Sequence, residues 1–180
     1  MTSALRFTKA AFVLLLVAGG SHSLRAQAMK AAAPASDAAD RKDIQTLEDR
    51  YNDGFNTRNV NEIMSCYASG KALFVFDAVP PREYPSWDAY KRDWETLFST
   101  YPGPVSNEMS NISITVVGPV GYGHNIQSTT LTAKDGTKLH AVVRVTDVYR
   151  KITGKWLIVL EHVSFPVDIS TGKADLLSQP

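Results

Sequence analysis

The sequence predicts an α+β fold in which three N-terminal helices pack on a curved antiparallel β-sheet. Two observations carry this prediction. Apolar residues recur at helical spacing through the first half of the chain, and four long β-type segments separated by turn signals follow in the second half. Helices first and strands afterwards are typical of one domain whose helices cover one face of the sheet.

Residues 1–28 have the composition of a signal peptide. Arg6 and Lys9 precede an apolar run over residues 10–20, which is shorter than the roughly 20 apolar residues that span a bilayer. The run leads to Ala26-Gln27-Ala28, a small-residue cleavage motif. We therefore expect export to the periplasm or beyond, with cleavage after Ala28. A retained membrane anchor or an ordinary buried helix is the alternative.

Cleavage would change the charge of the chain. The precursor has 19 basic and 18 acidic residues. Arg6, Lys9 and Arg25 would leave with the signal peptide and no acidic residue would, so the mature chain carries about two more acidic than basic residues. This balance provides no basic surface for nucleic acid or anionic lipid. We expect neither partner for the mature chain.

Three helices are predicted after a flexible, Ala-rich leader over residues 29–39. The first begins at Asp40 and carries an apolar stripe at spacings of three and four: Ile44, Leu47, Tyr51 and Phe55. Asn59 followed by Glu62 has the pattern of a helix N-terminus and predicts a short second helix. The third runs from Ser86 to about Thr100 and has an aromatic face.

The strands are predicted from apolar runs and from the turn residues that separate them. Residues 72–77 form a short apolar run before a proline-rich loop, which predicts one strand. Four long strands are predicted near 107–117, 120–133, 137–151 and 155–167, and turn dipeptides such as Asp135-Gly136 separate them. The polar residues 169–180 are predicted to be a peripheral extension.

Two stretches resemble a known family. The run from Arg144 to Ser164, RVTDVYRKITGKWLIVLEHVS, resembles the closing hairpin of SnoaL-like, nuclear transport factor 2-like domains, and the run from Arg50 to Asp77 resembles their first helix pair and strand. The resemblance covers residues 40–168. It implies a cone-shaped fold shared with ketosteroid isomerases and with the association domain of calcium/calmodulin-dependent protein kinase II.

The face that each strand residue occupies follows from the last hairpin. A three-residue loop over Ile152-Thr153-Gly154 would place Arg144 opposite His162. Alternation then puts one set of side chains on a common face: His140, Val142, Arg144, Thr146, Trp156, Ile158, His162 and Ser164. A loop one residue longer would exchange the two sets. Both faces are half apolar, which predicts helices on one and a second subunit on the other, hence a homodimer through the sheet.

A catalytic hypothesis comes from the resemblance. In ketosteroid isomerases a carboxylate moves a proton beside a carbonyl group, while a tyrosine and a protonated acid stabilise the oxyanion. The resemblance implies that Tyr51 is the oxyanion tyrosine and Asp77 the base, but Thr146 stands where the second acid belongs. A buried core position for Tyr51 and a turn-capping role for Asp77 are the alternatives.

A binding hypothesis uses the predicted common face. Arg144 and His162 would form a basic spot at the end of an aromatic pocket and hold an anionic group. The predicted ligand contacts are Arg144, His162, Trp94, Tyr90, His140 and Thr146. The alternative is an internal ion pair of Arg144 with Asp77 or Glu161.

A third hypothesis is an oligomerisation module without turnover, by analogy with the kinase association domain. Metal and cofactor chemistry are not predicted, because the histidines lack ligand spacing and no phosphate loop or dinucleotide motif occurs. Cys66, the single cysteine, is expected to be buried. The sequence thus predicts an exported SnoaL-like domain that binds a small anionic or carbonyl-bearing ligand, with a ketosteroid isomerase-type enzyme as the alternative.

Overall fold

A computed structural model describes residues 35–178. The elements are α1 (Ala35–Asn56), α2 (Val60–Met64), a 3-10 turn (Gly70–Ala72), β1 (Phe74–Phe76), β2 (Glu83–Tyr84), α3 (Trp87–Thr100), β3 (Val105–Val117), β4 (Val120–Thr132), β5 (Lys138–Ile152), β6 (Lys155–Ser164), β7 (Val167–Asp168) and β8 (Lys173–Ala174). The predicted order of three helices before four long strands is confirmed. The predicted signal peptide and residues 29–34 of the predicted leader lie outside the described residues.

The helices begin where local chemistry favours them. Helix α1 starts at Ala35, so residues 35–39 are helical and the leader prediction is wrong there. Alanine is the strongest helix former and extends the helix without needing an apolar stripe. Asp40 ties this first part to the sheet, because its Oδ1 accepts a hydrogen bond from Trp156 Nε1 at 2.9 Å.

Capping side chains fix the other two helices. The Oδ1 of Asn59 accepts from the Glu62 amide at the start of α2, and the Oγ of Ser86 accepts from the Ala89 amide at the start of α3. Each oxygen satisfies an amide that has no partner within its helix. The predicted stripe on α1 is buried along its full length: Ile44, Leu47, Tyr51 and Phe55.

The main sheet has six strands in the order β2-β1-β6-β5-β4-β3. Strand β1 runs parallel to β6, whereas the other neighbours are antiparallel. The sheet is therefore mixed rather than wholly antiparallel. Register shifts in β3 and between β5 and β6 bend the strands, and α1 packs across one face of the curved sheet.

The hairpin between β5 and β6 differs from the prediction. Its loop has two residues, Thr153 and Gly154, with φ angles of 48° and 83°. Two successive left-handed residues form the tight turn whose twist matches that of the flanking strands. Lys151 therefore pairs with Trp156 rather than with Lys155.

A bulge then changes the register further along the same pair. Tyr149 pairs with Ile158 and Val148 with Leu160, so Val159 has no partner on β5. Beyond this bulge Thr146 pairs with His162. The predicted pairing of Arg144 with His162 is therefore wrong, because it used the wrong loop length and had no means to anticipate the extra residue.

The C-terminal extension is structured as far as residue 178. Strand β8 pairs with β7, and the Val142 amide donates to the Leu176 carbonyl oxygen at 2.7 Å. The extension thus covers part of β5 beyond the last pair with β6, at Arg144 and Ser164. Within residues 35–178 no helix is long and apolar enough to cross a membrane.

Candidate functional site

The two faces of the sheet differ in burial. Along β5, Val145, Asp147 and Tyr149 are buried, while Arg144 and Thr146, which alternate with them, are exposed. Because side chains alternate along a strand, the first set defines an inner face toward the helices and the second an outer face away from them.

A cavity of about 310 Å³ lies between α3, the loop after β1 and the inner face. We call it the inner cavity. Its wall is mostly apolar and aromatic, and Asp77 and Asp93 are its charged residues. It is lined by Asp77, Ala78, Val79, Tyr90, Asp93, Trp94, Leu97, Tyr101, Thr129, Leu131, Leu139, Ala141, Val143, Val163 and Phe165. The charge inside this wall is therefore acidic.

Helix α3 supplies the aromatic part of the wall. Tyr90 and Trp94 are one turn apart, so they point to the same side of the helix. Their ring centroids are 5.8 Å apart, and Trp94 also packs edge-on against Phe55 of α1 at 5.5 Å. Both aromatic side chains are held by packing, which gives the cavity a rigid wall.

Asp77 stands at the end of β1. Because Phe76 pairs with His162 in the parallel β1–β6 ladder, the next position places Asp77 beside Val163 on the inner face. Its Oδ1 accepts from the Ala78 amide at 2.6 Å. Burial, with a smaller contribution from the negative charge of Asp93, raises the pKa of Asp77 to about 6. Asp77 therefore caps a turn and lines the cavity at once.

Glu161 is a buried acid behind this wall. The Tyr90 hydroxyl donates to its Oε1 at 2.6 Å, and the Tyr67 hydroxyl donates to its Oε2 at 2.7 Å. Burial raises the pKa of Glu161 to about 7, although the two tyrosine hydrogen bonds act in the opposite direction. Tyr90 thus lines the cavity and also donates a hydrogen bond to Glu161.

Two more buried acids, Glu48 and Asp147, lie between α1 and the sheet. The Tyr149 hydroxyl donates to Glu48 Oε1 at 2.7 Å, and burial raises the pKa of Glu48 to about 7. Burial and the nearby charges of Glu48 and Glu161 also raise the pKa of Asp147. Gly123 makes room for this arrangement, since a Cβ there would lie 3.0 Å from the Tyr149 hydroxyl and 2.8 Å from the Ser113 carbonyl oxygen.

Three of the predicted site residues meet at the inner cavity: Asp77, Tyr90 and Trp94. Tyr51 lies one layer deeper. Its ring packs edge-on against Trp94 at 6.0 Å, and its hydroxyl points to Gln127 Oε1 at 3.5 Å. Tyr51 therefore has the buried core position that was its alternative, and Tyr90 is the tyrosine at the cavity wall.

The other predicted ligand residues lie on the outer face: Arg144, His162, His140 and Thr146. Arg144 donates to the Phe165 carbonyl oxygen at 3.1 Å. The prediction that these four share a pocket with Trp94 does not hold, because the helices pack on the opposite face of β5. The alternative ion pair of Arg144 with Asp77 or Glu161 does not hold either, since both acids are on the inner side.

Sequence reasoning missed Asp93 and Glu161. Asp93 lies three residues after Tyr90 and four before Leu97, which places it on the same side of α3. Glu161 belongs to an otherwise apolar set with Val159 and Val163, and a carboxylate at such a position signals a buried acid with a specific partner. The bulge and the parallel pairing with β1 gave no comparable signal.

Two further features concern reactive groups. The prediction that Cys66 is buried is confirmed, and burial raises the pKa of its thiol to about 12. Among residues 35–178, no three His, Cys, Asp or Glu side chains are grouped so that they could hold a metal ion.

Three helices on a curved sheet, with a cavity between them, define a nuclear transport factor 2-like cone. The SnoaL-like domain model matches residues 44–168. The chain therefore belongs to the SnoaL-like domain family, as the sequence resemblance indicated.

Solved structures give the same fold. An NTF2-like protein of unknown function from Pseudomonas putida KT2440 is 25% identical, with a TM-score of 0.71 over 79% of this chain and 98% of that one. An NTF2-like superfamily protein from Salmonella enterica is 17% identical, with a TM-score of 0.67 over 77% of this chain and 99% of that one. A candidate dehydratase of the NTF2-like family from Streptomyces avermitilis is 10% identical, with a TM-score of 0.63 over 71% and 96%. No curated protein matches the chain in sequence.

Proposed function

We propose that the chain binds a small, largely apolar, carbonyl-bearing compound in the inner cavity and that Asp77 exchanges a proton with it. The observation that carries this proposal is the wall of the cavity, in which aromatic and aliphatic side chains surround the two carboxyl groups of Asp77 and Asp93. An apolar pocket with a few converging polar groups is typical of a small-molecule site.

The acidic wall favours a neutral ligand over an anionic one. A carboxylate ligand would meet Asp77 and Asp93, and like charges repel strongly where water is partly excluded. Of the two ligand classes expected from the sequence, the carbonyl-bearing one therefore fits the inner cavity better. The cavity also counts against an oligomerisation module without a ligand, for which no enclosed space is needed.

Asp77 has properties that suit a general base. With a pKa of about 6, its carboxylate is ionised at neutral pH and more basic than an ordinary aspartate. In the proposed step it removes a proton from the carbon beside the carbonyl group. The C–H bond breaks, its electron pair forms the enolate and the proton is held on Asp77. Return of the proton to the same or another carbon of the enolate completes the step.

Binding is tested with three probes of similar size: 2-tetralone as the neutral ketone, 2-naphthoate as the anion and protonated 2-aminotetralin as the cation. Isothermal titration calorimetry should give an affinity for 2-tetralone at least about tenfold above that for 2-naphthoate. Ala141→Trp, which fills the cavity, should abolish binding. Arg150→Trp, on the outer face of the same strand, is the matched control and should bind normally. Preference for 2-naphthoate, or no binding of 2-tetralone, would refute the proposal, and preference for the cation would redefine the ligand class.

Proton transfer is tested with the same ketone. The parent protein should accelerate exchange of the protons beside the 2-tetralone carbonyl group with deuterated water, followed by NMR. Asp77→Asn should slow this exchange by about 100-fold or more while 2-tetralone still binds. Asp49→Asn, at an exposed position on α1, serves as the control. Equal exchange rates in the parent and in Asp77→Asn would remove Asp77 as the base.

We also propose that the outer face packs on a second copy of the chain. This face exposes apolar and aromatic side chains, including Phe76 at 41% and Tyr122 at 54% of their surfaces. Large apolar side chains grouped on an open sheet face are typical of a subunit contact. The predicted homodimer through the sheet therefore remains a proposal, and it receives its own test below.

Export stays a proposal that rests on the sequence. The charged start, the short apolar run and the small-residue motif at Ala26-Gln27-Ala28 support it. N-terminal sequencing of the mature protein should begin at Met29. An intact Met1 in the purified native protein would contradict it.

A further inference from the structure

We infer that Glu161 is a positioning residue that sets the direction of the Tyr90 hydroxyl, so that Tyr90 donates a hydrogen bond to the ligand oxygen only while Glu161 is protonated. This inference rests on the proposed binding of a carbonyl compound in the inner cavity. It adds an oxyanion donor, Tyr90, to the base Asp77 and takes that role from Tyr51.

The hydrogen bonds around Glu161 give the inference its geometry. Each carboxyl oxygen accepts from one tyrosine, Oε1 from Tyr90 at 2.6 Å and Oε2 from Tyr67 at 2.7 Å. A hydroxyl group has a single proton. While Glu161 is an ionised carboxylate, both hydroxyl protons point toward it and Tyr90 has none to offer the cavity.

Protonation reverses one of these hydrogen bonds. A proton on Oε1 donates to the Tyr90 oxygen, and the Tyr90 hydroxyl proton then turns to another acceptor. Tyr90 lines the inner cavity, and the inference places the ligand carbonyl oxygen where it accepts this proton. The carboxylate gains one proton in this change, and no covalent bond of Tyr90 or Glu161 is broken.

Tyr67 cannot take the same part. It does not line the inner cavity, and its ring packs edge-on against Tyr51 at 6.3 Å and against Tyr90 at 5.4 Å. A hydroxyl proton released from Tyr67 would have no ligand oxygen to meet. A ligand in the cavity therefore favours the proton on the Tyr90 side of Glu161.

The surroundings of Glu161 raise its pKa, so the carboxyl group keeps its proton up to near neutral pH. The charged groups that act on it are all acidic: Asp77 after β1, Glu48 on α1 and Asp147 on β5. Together with burial they raise its pKa to about 7, above the value of about 6 for Asp77. Between these values Asp77 is mostly ionised while Glu161 is mostly protonated, which is the pairing that enolisation requires.

This arrangement differs from the one implied by the ketosteroid isomerase resemblance. There, a tyrosine and a protonated acid both donate to the oxyanion. In this chain the buried acid lies behind the tyrosine and acts through it. The position corresponding to the second donor is Thr146, which is on the outer face and points away from the cavity.

The test is the infrared carbonyl band of bound 2-tetralone, which moves to lower frequency when the oxygen accepts a hydrogen bond. In the parent protein the shift should be present near about pH 6 and lost near about pH 8.5, with at least about a tenfold loss of affinity. Tyr90→Phe should lack the shift at both pH values. Glu161→Gln should keep it at both, because the introduced amide permanently donates to Tyr90 as the protonated acid does.

Glu48→Gln is the matched control, since it also changes a buried glutamate bonded to a tyrosine but lies away from the cavity. It should still lose the shift as pH rises, at a somewhat lower pH than the parent, because Glu48 no longer helps to raise the pKa of Glu161. A shift that persists in Tyr90→Phe, or the same pH dependence in Glu161→Gln as in the parent, overturns the inference while 2-tetralone binding still stands. Absence of 2-tetralone binding in the parent overturns both proposals.

One measurement does not depend on the variants folding. The ligand-free parent should show the infrared band of protonated carboxyl groups near about pH 6, to which Glu161, Glu48 and Asp147 contribute, and the Glu161 part of this band should be lost by about pH 8.5. Its absence at the lower pH overturns the inference directly.

Discussion

Polar residues on the inner and outer faces of the sheet differ in burial. At the inner face, Asp147 and Glu161 of the sheet and Glu48 of α1 are almost completely buried, and tyrosine hydroxyls donate to the two glutamates. On the outer face, Arg144 and His162 are exposed. The basic and acidic residues of the same strands are thus separated by the sheet.

This difference identifies where chemistry is expected. A buried carboxyl group without a cation holds its proton more tightly than usual, because ionisation in a low-dielectric interior is unfavourable. An exposed arginine or histidine has water as its partner and little effect on the fold. The inner face therefore offers groups with altered proton affinity, and the outer face offers surface for contact. Four experiments examine this contrast.

The largest effect should be a loss of stability as pH rises. The pKa values of Glu48 and Glu161 increase from 4.5 to about 7 on folding. At these two glutamates the folded state therefore binds more protons than the unfolded state between these values, so their contribution to the free energy of unfolding falls across this window and levels off above it. Each glutamate should contribute a loss of up to about 3 kcal/mol.

Urea denaturation at about pH 5 and about pH 8 measures this loss. Glu48→Gln should remove roughly one glutamate's share, because glutamine has no proton to lose and can still accept from Tyr149. Glu83→Gln, at an exposed position, should behave like the parent. A free energy of unfolding that does not fall between the two pH values would contradict the assignment of the inner acids.

The next effect compares two tyrosines. Tyr149→Phe removes the hydroxyl that donates to Glu48, and an unsatisfied buried acceptor should lower the free energy of unfolding by about 1–3 kcal/mol. Tyr122→Phe, on the outer face, should change it by less than about 0.5 kcal/mol. Thermal or urea unfolding of both variants at neutral pH measures the difference. Equal losses would mean that the two faces do not differ in this way.

A charge on the outer face tests the proposed homodimer. Tyr122→Glu places a carboxylate at the proposed contact and should weaken self-association by at least about tenfold, or about 1.4 kcal/mol. Sedimentation velocity over a range of protein concentrations measures this. Thr96→Glu, at an exposed site on α3, should leave the dimer intact. A parent protein that is monomeric throughout would refute the homodimer.

The smallest effect is expected at Arg144. Arg144→Ala should change the free energy of unfolding by less than about 0.5 kcal/mol and leave 2-tetralone affinity unchanged, since its side chain is on the outer face. The sequence-based hypothesis predicts instead that acidic ligands stabilise the parent and not this variant. Thermal unfolding with and without 2-naphthoate distinguishes the two.

Much of the fold could be predicted because its signals are local. The stripe from Ile44 to Phe55 and the caps at Asn59 and Ser86 are set by neighbouring residues, and all are present in the structure. The leader prediction is wrong over residues 35–39 because alanine forms helix without an apolar stripe. Of the candidate site, Tyr90 and Trp94 could be found from the aromatic face of α3, and Asp77 from the family resemblance.

The rest of the site depends on pairing between distant segments. Whether Arg144 or Val145 faces the helices depends on the loop at Thr153-Gly154, on the bulge at Val159 and on which face the helices cover. A change of one residue in register moves every side chain to the other face. The shorter loop and the bulge each shift the register by one residue, so together they leave Arg144, Thr146 and His162 on one face, as predicted. The ligand role was assigned to exposed residues, and Glu161 was left unassigned, because the sequence did not show that the helices cover the other face.

The sequence by itself determined the order of helices and strands, the family and the acidic and aromatic residues available to a site. Tertiary structure decided which of them meet, since the parallel pairing of β1 with β6 brings Asp77 beside the strand of Glu161 and the packing of α3 brings Tyr90 to both. Those contacts join residues up to 86 positions apart, so no local pattern encodes them. They are selected only when burial of the whole core stabilises one arrangement over the others.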